Sequence, residues 1–182
     1  ENNTKVLDIG CNTGELGDLL IEKKCEVTGI DYNVKQNQKL KNYINHNLDD
    51  GLPEINYDQF DYILILDVVE HLKDPENFFV ELKEKLKNNS KAKVLISTPN
   101  IAFFIMRFML LFGKFNYGSR GILDKTHTRL FTFSSFSNLV RQSDYNILKT
   151  FGVPAPFRLA IGENFLSKFL EAFNILLIKL SK

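Results

Sequence analysis

The sequence predicts an α/β fold, a doubly wound and mainly parallel sheet with helices on both faces. Three observations predict it. Short apolar runs recur with helical stretches between them, the first run breaks into a glycine-rich turn, and the fourth is apolar throughout, as befits a strand covered on both sides. Parallel strands need crossover connections, and right-handed crossovers put helices on both faces of the sheet.

The first run is Lys5-Val-Leu-Asp-Ile-Gly10. Leu16, Leu19 and Leu20 follow at helical spacing, and Glu26-Val-Thr-Gly-Ile-Asp31 reads as the second strand. A polar, weakly helical stretch, biased to Lys and Asn between Lys35 and Asn47, leads to Tyr43-Ile-Asn-His-Asn-Leu48, where the third strand falls with Asn47-Leu48 after it. Asp50-Gly51-Leu52-Pro53 marks a turn, and Phe60 to Asp67 is the fourth strand. Asp74 before Pro75 is a helix start, an N-cap followed by proline at the first helical position, and Phe78, Phe79, Leu82 and Leu86 make one apolar stripe. Ala92 to Thr98 is the fifth strand, closed by Pro99. After Asn100 the alternation is interrupted: Ile101 to Phe112 is apolar on nearly all sides and gives way to the loop from Gly113 to Gly121. Thr132 caps a helix presenting Phe136, Leu139 and Val140, and Asn146 to Gly152 returns as strand before the rigid connector Gly152-Val-Pro-Ala-Pro-Phe157. From about Asn164 the pattern is mixed. Phe165, Leu166, Phe169, Leu170 and Phe173 fit a helix, whereas Asn174-Ile-Leu-Leu-Ile fits a closing strand equally well.

With 182 residues, 44% of them hydrophobic, 23 Lys+Arg against 22 Asp+Glu and two cysteines, the chain is neither a disordered tail nor a disulfide-stapled miniprotein. The near-zero balance hides a division: residues 1–100 carry 12 basic and 18 acidic side chains, residues 101–182 carry 11 and 4, and 13 of the 16 phenylalanines lie in the second part. Cys11 and Cys25 are too few for a framework and read as reduced thiols of a cytoplasmic protein. No signal peptide is visible, but the chain opens Glu1-Asn2-Asn3 without an initiator methionine, which predicts residues before it. Arg107 interrupts one apolar stretch and Lys168, Glu171 and Lys179 the other, so no membrane span is expected; peripheral membrane contact through the Phe-rich C-terminal portion is.

The chemistry is concentrated where the first strand meets the first helix, Asp8-Ile-Gly10-Cys-Asn-Thr-Gly14, the place where open α/β sheets bind ligands. The spacing of Gly10, Gly14 and Gly17 is not that of a dinucleotide fingerprint, and no Tyr-x-x-x-Lys accompanies it, which argues against a nicotinamide oxidoreductase or epimerase. Asp8 would repel a diphosphate yet favour a cationic amino-acid portion, such as that of S-adenosylmethionine, which carries an ammonium and a sulfonium and no phosphate. A non-catalytic module that binds a partner or membrane is the competing reading. Nucleic acid is not expected, because the basic residues are dispersed among phenylalanines.

With Asp31 ending the second strand, Val6-Leu-Asp-Ile-Gly-Cys-Asn-Thr-Gly14 resembles the first motif of class I S-adenosylmethionine-dependent methyltransferases. The resemblance continues through Asn47-Leu48 and through Phe60 to Pro75, with its Glu-His-Leu and Asp-Pro. It implies the methyltransferase form of the doubly wound, Rossmann-like fold. It also implies a cofactor site of Asp8, Gly10, Cys11, Asn12, Gly14, Asp31, Tyr32, Asn47, Leu48 and Asp67, in which Asp31 accepts from the ribose hydroxyls. S-adenosylhomocysteine would be the product, and no metal is expected. Two departures stand out: Asn12 replaces a frequent glycine, and Asn47 a frequent aspartate. Asp67 could alternatively cap the helix that follows it. Residues 100 to 132, with Leu111 to Tyr117, Gly121 to Thr132 and Gly152-Val-Pro-Ala-Pro, resemble methyltransferases associated with glycosyltransferases of cell-surface polysaccharide synthesis. That implies a glycan or lipid-linked sugar acceptor and a glycosyltransferase as partner.

On this reading one domain covers 1–182, with a cofactor-binding core over 1–100, a lid and acceptor insertion over 101–132, and a C-terminal helix and strand over 133–182. Methyl transfer to a hydroxyl needs alignment and a base, and histidine is the side chain whose ordinary pKa lies near neutrality. His71 is the expected base, with the alternative that it packs against its own helix, and His127 assists. Arg129 and Tyr117 are the expected acceptor contacts. His127 and Arg129, two apart on a short extended piece, would point to the same side, and Arg129 could instead brace the lid by pairing with Asp124 or Asp144.

Overall fold

The computed structural model describes residues 3–33, 40 and 42–180. The weakly helical stretch read before Tyr43 falls largely outside them. The chain divides into two units, Glu1–Tyr145 and Asn146–Lys182.

The first unit is built on strands β1 (Lys5–Ile9), β2 (Glu26–Asp31), β3 (Asn42–Asn45), β4 (Tyr62–Leu66) and β5 (Lys93–Ser97). They form one sheet in the order β3-β2-β1-β4-β5, and every pairing is parallel. Helix α1 (Glu15–Glu22) joins β1 to β2 and helix α2 (Pro75–Lys85) joins β4 to β5. These connections run outward from the centre in opposite directions, so right-handed crossovers put α1 and α2 on opposite faces. The reversal of strand order falls between β1 and β4, and the crevice outside their carboxyl ends is where this topology binds ligands.

Alternation along β1 sends Val6 and Asp8 to one face and Leu7 and Ile9 to the other. Val6 joins Cys11, Val27, Leu40 and Leu64 in a buried cluster against which Leu16 and Leu20 of α1 pack. Leu7, Ile9, Ile63 and Ile65 are fully buried, as are Phe79 and Leu82 of the α2 stripe. Asp74 caps α2, its Oδ1 accepting from Asn77 N at 2.9 Å, with Pro75 in the first turn as expected. The third strand ends before Asn47. Asn47 leaves the ladder to cap a 3-10 turn at Leu48–Asp50, and a capping side chain with its own local hydrogen bonds ends a strand.

Beyond β5, helix α3 (Phe104–Leu111) buries Met106 and leaves Phe108, Leu110 and Leu111 exposed. The ends of the insertion meet: Asn100 bridges to Phe131, and Ile101 N donates to Phe131 O at 2.8 Å. Helix α4 (Phe133–Gln142) starts in a capping box between Thr132 and Ser135 and buries Leu139 and Val140.

The second unit contains α5 (Phe157–Ile161) and α6 (Phe165–Leu180). Neither C-terminal strand forms. Residues 146–156 have no regular structure, and Leu148 and Phe151 are exposed, so this run buries no continuous apolar face that a strand pairing would cover. Asn174 to Ile178 continues α6, where Asn174 is buried and its Oδ1 accepts from Ala155 N at 2.8 Å, a partner that one turn of helix supplies without any ladder. No helix among the described residues is long and apolar enough to cross a membrane.

Candidate active site

The turn after β1 is shaped by backbone that side chains resist. Gly10 and Gly14 both have φ of 78°, and a Cβ on Gly10 would lie 2.3 Å from Val68 Cγ2. Glycine is therefore required twice over at position 10, by conformation and by the approach of the segment that follows β4. Asn12 occupies the left-handed region at φ 46°, which asparagine tolerates better than most residues, so the first departure from the family pattern keeps the turn.

Asp31 holds this turn in place. Its Oδ2 accepts from Asn12 N at 2.8 Å and its Oδ1 from Asn33 N at 2.9 Å, while its carbonyl accepts from the Tyr43 hydroxyl at 2.7 Å. Each carboxylate oxygen has a second lone pair, an arrangement suited to a vicinal diol. Tyr32 beside it is exposed. Asp8 lies beneath the turn, 4% exposed; burial, reinforced by the Asp31 charge, pushes its carboxyl up to about 6. Cys11 packs in the buried cluster with Val6 and Leu40, and burial also pushes its thiol up to about 12, with the Asp8 and Asp31 charges adding.

Asn47 turns its side chain to its own 3-10 turn, with Oδ1 accepting from Asp49 N at 3.2 Å and Nδ2 donating to Asp50 Oδ2 at 3.2 Å, and Leu48 is half-buried there. Asp67 does not cap the following helical turn. It adopts φ 53°, its N donates to Ser97 Oγ at 3.1 Å, and Ser97 Oγ donates to its Oδ1 at 2.7 Å. The carboxylate is thus tied across to the end of β5, because the left-handed backbone at 67 turns the side chain away from the 3-10 turn at Val69–His71.

His71 and His127 meet, their rings 4.7 Å apart and edge-on. The loop carrying His127 is stitched to the segment after β4: Thr128 N and Arg129 N donate to Glu70 O at 2.8 and 3.1 Å, and Thr128 Oγ1 donates to Leu72 O at 2.6 Å. His127 and Arg129 take different partners, His71 and Glu76. Residues 124–127 form a turn, His127 N donating to Asp124 O at 3.1 Å. Arg129 does not pair with Asp124 or Asp144. It grips Glu76 in the first turn of α2, Nη1 to Oε1 at 3.1 Å and Nη2 to Oε2 at 3.0 Å. Asp144 pairs with Lys83, and Asp124 accepts from Thr126 N at 2.8 Å. Tyr117 is exposed and packs edge-on against Phe115.

Glu70 was not among the residues expected from the sequence. It is 1% exposed, and burial raises its carboxyl above the usual carboxylate range, the Asp67 charge adding while its own backbone amide opposes. The available signal was its place between the apolar pair Val68-Val69 and His71.

Residues 1–150 match the family described as a methyltransferase domain. The ubiquinone biosynthesis O-methyltransferase of Idiomarina loihiensis is 33% identical over 109 residues, 53% of this chain and 42% of that protein. The mitochondrial enzyme of the same name from Schizosaccharomyces pombe is 26% identical over 161 residues, 82% of this chain and 57% of that one. The chain spans 34% to 57% of the length of the curated relatives it matches. In fold it is similar to a SAM-dependent methyltransferase from Archaeoglobus fulgidus, with a TM-score of 0.61 at 20% identity, covering 96% of this chain and 79% of that one.

Proposed function

The chain belongs to the methyltransferase domain family, and from that premise we propose that it transfers a methyl group from S-adenosylmethionine to a hydroxyl of a small-molecule acceptor. The observation carrying this reading is the pairing of Asp31 with the Gly10–Gly14 turn. A carboxylate whose two oxygens each keep a lone pair stands beside a turn that glycine holds open, and the buried Asp8 carboxyl offers its charge to a cation. These residues fit an adenosyl group with an amino-acid tail and would reject a diphosphate. When bound, that group supplies an electrophilic methyl on a sulfonium.

The chain's own residues then align the acceptor and take up its proton. Nδ1 of His71 lies 3.2 Å from Thr126 O and Nδ1 of His127 lies 3.0 Å from Ile122 O. A carbonyl only accepts, so each Nδ1 donates and each Nε2 keeps its lone pair for the acceptor side. Arg129, engaged with Glu76, positions the loop that carries His127. The α3 helix and its loop serve as the lid that excludes water. Curated relatives named as O-methyltransferases support oxygen as the methylated atom; a sugar hydroxyl on a cell-surface glycan rests on the sequence resemblance.

Titration calorimetry with S-adenosylmethionine, S-adenosylhomocysteine and NADH tests the reading. Binding of the first two and not the third is expected, and binding of NADH alone overturns it. His71→Ala with unchanged turnover would remove His71 from the chemistry.

A further inference from the structure

Glu70, His71 and His127 do more than sit beside one another. Each offers one ligand atom, and these atoms lie within 4.8 Å of one another. Three features set the cluster apart from a chance gathering of polar side chains. Glu70 is 1% exposed, its Oε2 accepts from Thr98 Oγ1 at 3.1 Å, and its Oε1 has no hydrogen-bond partner among the described residues. A buried carboxylate oxygen without a partner is costly, and a cation is one group that would remove the cost. Both imidazoles are oriented by carbonyls at Nδ1, the arrangement that fixes the tautomer of metal-binding histidines and presents Nε2. The two halves of the cluster, distant in sequence, are held together by the Thr128 and Arg129 amides on the Glu70 carbonyl, which brings the donors near one another before any ion binds.

We propose that Glu70, His71 and His127 form a divalent-cation site with two nitrogen donors and one oxygen donor. Two imidazoles with one carboxylate suit a first-row transition ion better than calcium, which takes oxygen ligands. Donors about 2.1 Å from such an ion stand roughly 3.0–3.4 Å from one another, so less than 2 Å of closing movement, within reach of side-chain rotation, brings the three onto it. Asp67, tied to Ser97, lies outside the set. Three protein ligands leave positions open, and an acceptor hydroxyl bound there would lose its proton to solvent water more readily, as cation-bound water does. This role rests on the methyl-transfer reading; the binding of the ion does not. It also reassigns the two histidines, since a ring nitrogen bound to a cation cannot accept the acceptor's proton.

The test uses the chain stripped with EDTA and desalted, dialysed against zinc, manganese, cobalt or magnesium with neither cofactor nor acceptor present. The expected result is one equivalent of at least one of these ions, with binding weakened about 100-fold or more in His71→Ala and in His127→Ala. His127→Gln, which preserves side-chain bulk, serves if the alanine variant fails to fold, and the thermal midpoint with and without ion gives a second readout, rising in the unaltered chain and not in the variants. No binding to the unaltered chain, or affinity unchanged in the folded histidine variants, overturns the proposal. S-adenosylmethionine titrated into the same samples separates the two ideas: cofactor binding without ion binding defeats only the cation site, and ion binding without cofactor binding defeats only the methyltransferase reading.

Discussion

Asp8→Asn reports on both the energetics and the chemistry of the site. Asp8 is buried in the middle of β1, opposite Gly29 and Leu64 of the neighbouring strands, and its carboxyl is displaced from 3.8 to about 6 by burial and by Asp31. That displacement corresponds to about 3 kcal/mol of destabilisation of the ionised folded state. The sign follows from a folded pKa above the unfolded one. Below about pH 4 the carboxyl is protonated in both states and costs nothing, stability is lost as the pH rises through about 6, and the full cost applies above it. Asparagine has nearly the same shape and no charge. Asp8→Asn should therefore exceed the unaltered chain in stability by about 1–3 kcal/mol near pH 8, and the gap should close towards pH 4, as read from urea unfolding across that range. The same substitution should weaken S-adenosylmethionine binding and abolish its dependence on pH between about 5 and 7, because the cofactor's ammonium favours the ionised carboxyl in the unaltered chain. A variant no more stable than the parent near pH 8 would refute the burial argument. Unchanged affinity with an unchanged pH profile would refute the placement of Asp8 opposite the cation.

Asp31→Ala removes the acceptor of two backbone amides and the proposed diol contact; with each charge-assisted bond contributing about 1.5–3 kcal/mol, cofactor affinity measured by calorimetry should fall at least about 100-fold. Gly10→Ala should lower stability by about 2 kcal/mol or more in chemical unfolding, since it adds a Cβ at φ 78° and against Val68. Thr132→Ala, which breaks the capping box of α4, should cost about 1 kcal/mol and leave cofactor affinity unchanged, a control that separates general destabilisation from effects at the site.

Much of the fold was legible because strands, caps and turns are written locally. The Asp74-Pro75 start, the Thr132 cap and the left-handed Asn12 each depend on one residue's own preferences, and each appears where the pattern puts it. The C-terminal strands misled because alternation over a few residues carries no information about whether a ladder partner exists. Arg129 went to Glu76 for a similar reason: charge spacing along the chain names candidate partners, whereas the tie of Arg129 N to Glu70 O holds this segment beside the start of α2. Glu70 escaped notice because its meaning lies in its burial, which no single position in a sequence displays.

By itself, the sequence determined the parallel doubly wound sheet, the glycine turn after β1 and the carboxylate at the end of β2, since periodicity, left-handed backbone and strand-end position are properties of short segments. Only the tertiary structure decided that His71 and His127 converge with the buried Glu70. Their meeting is imposed by main-chain hydrogen bonds from Thr128 and Arg129 to the Glu70 carbonyl, and the amides that make them are common to nearly every residue, so side-chain identity does not announce them.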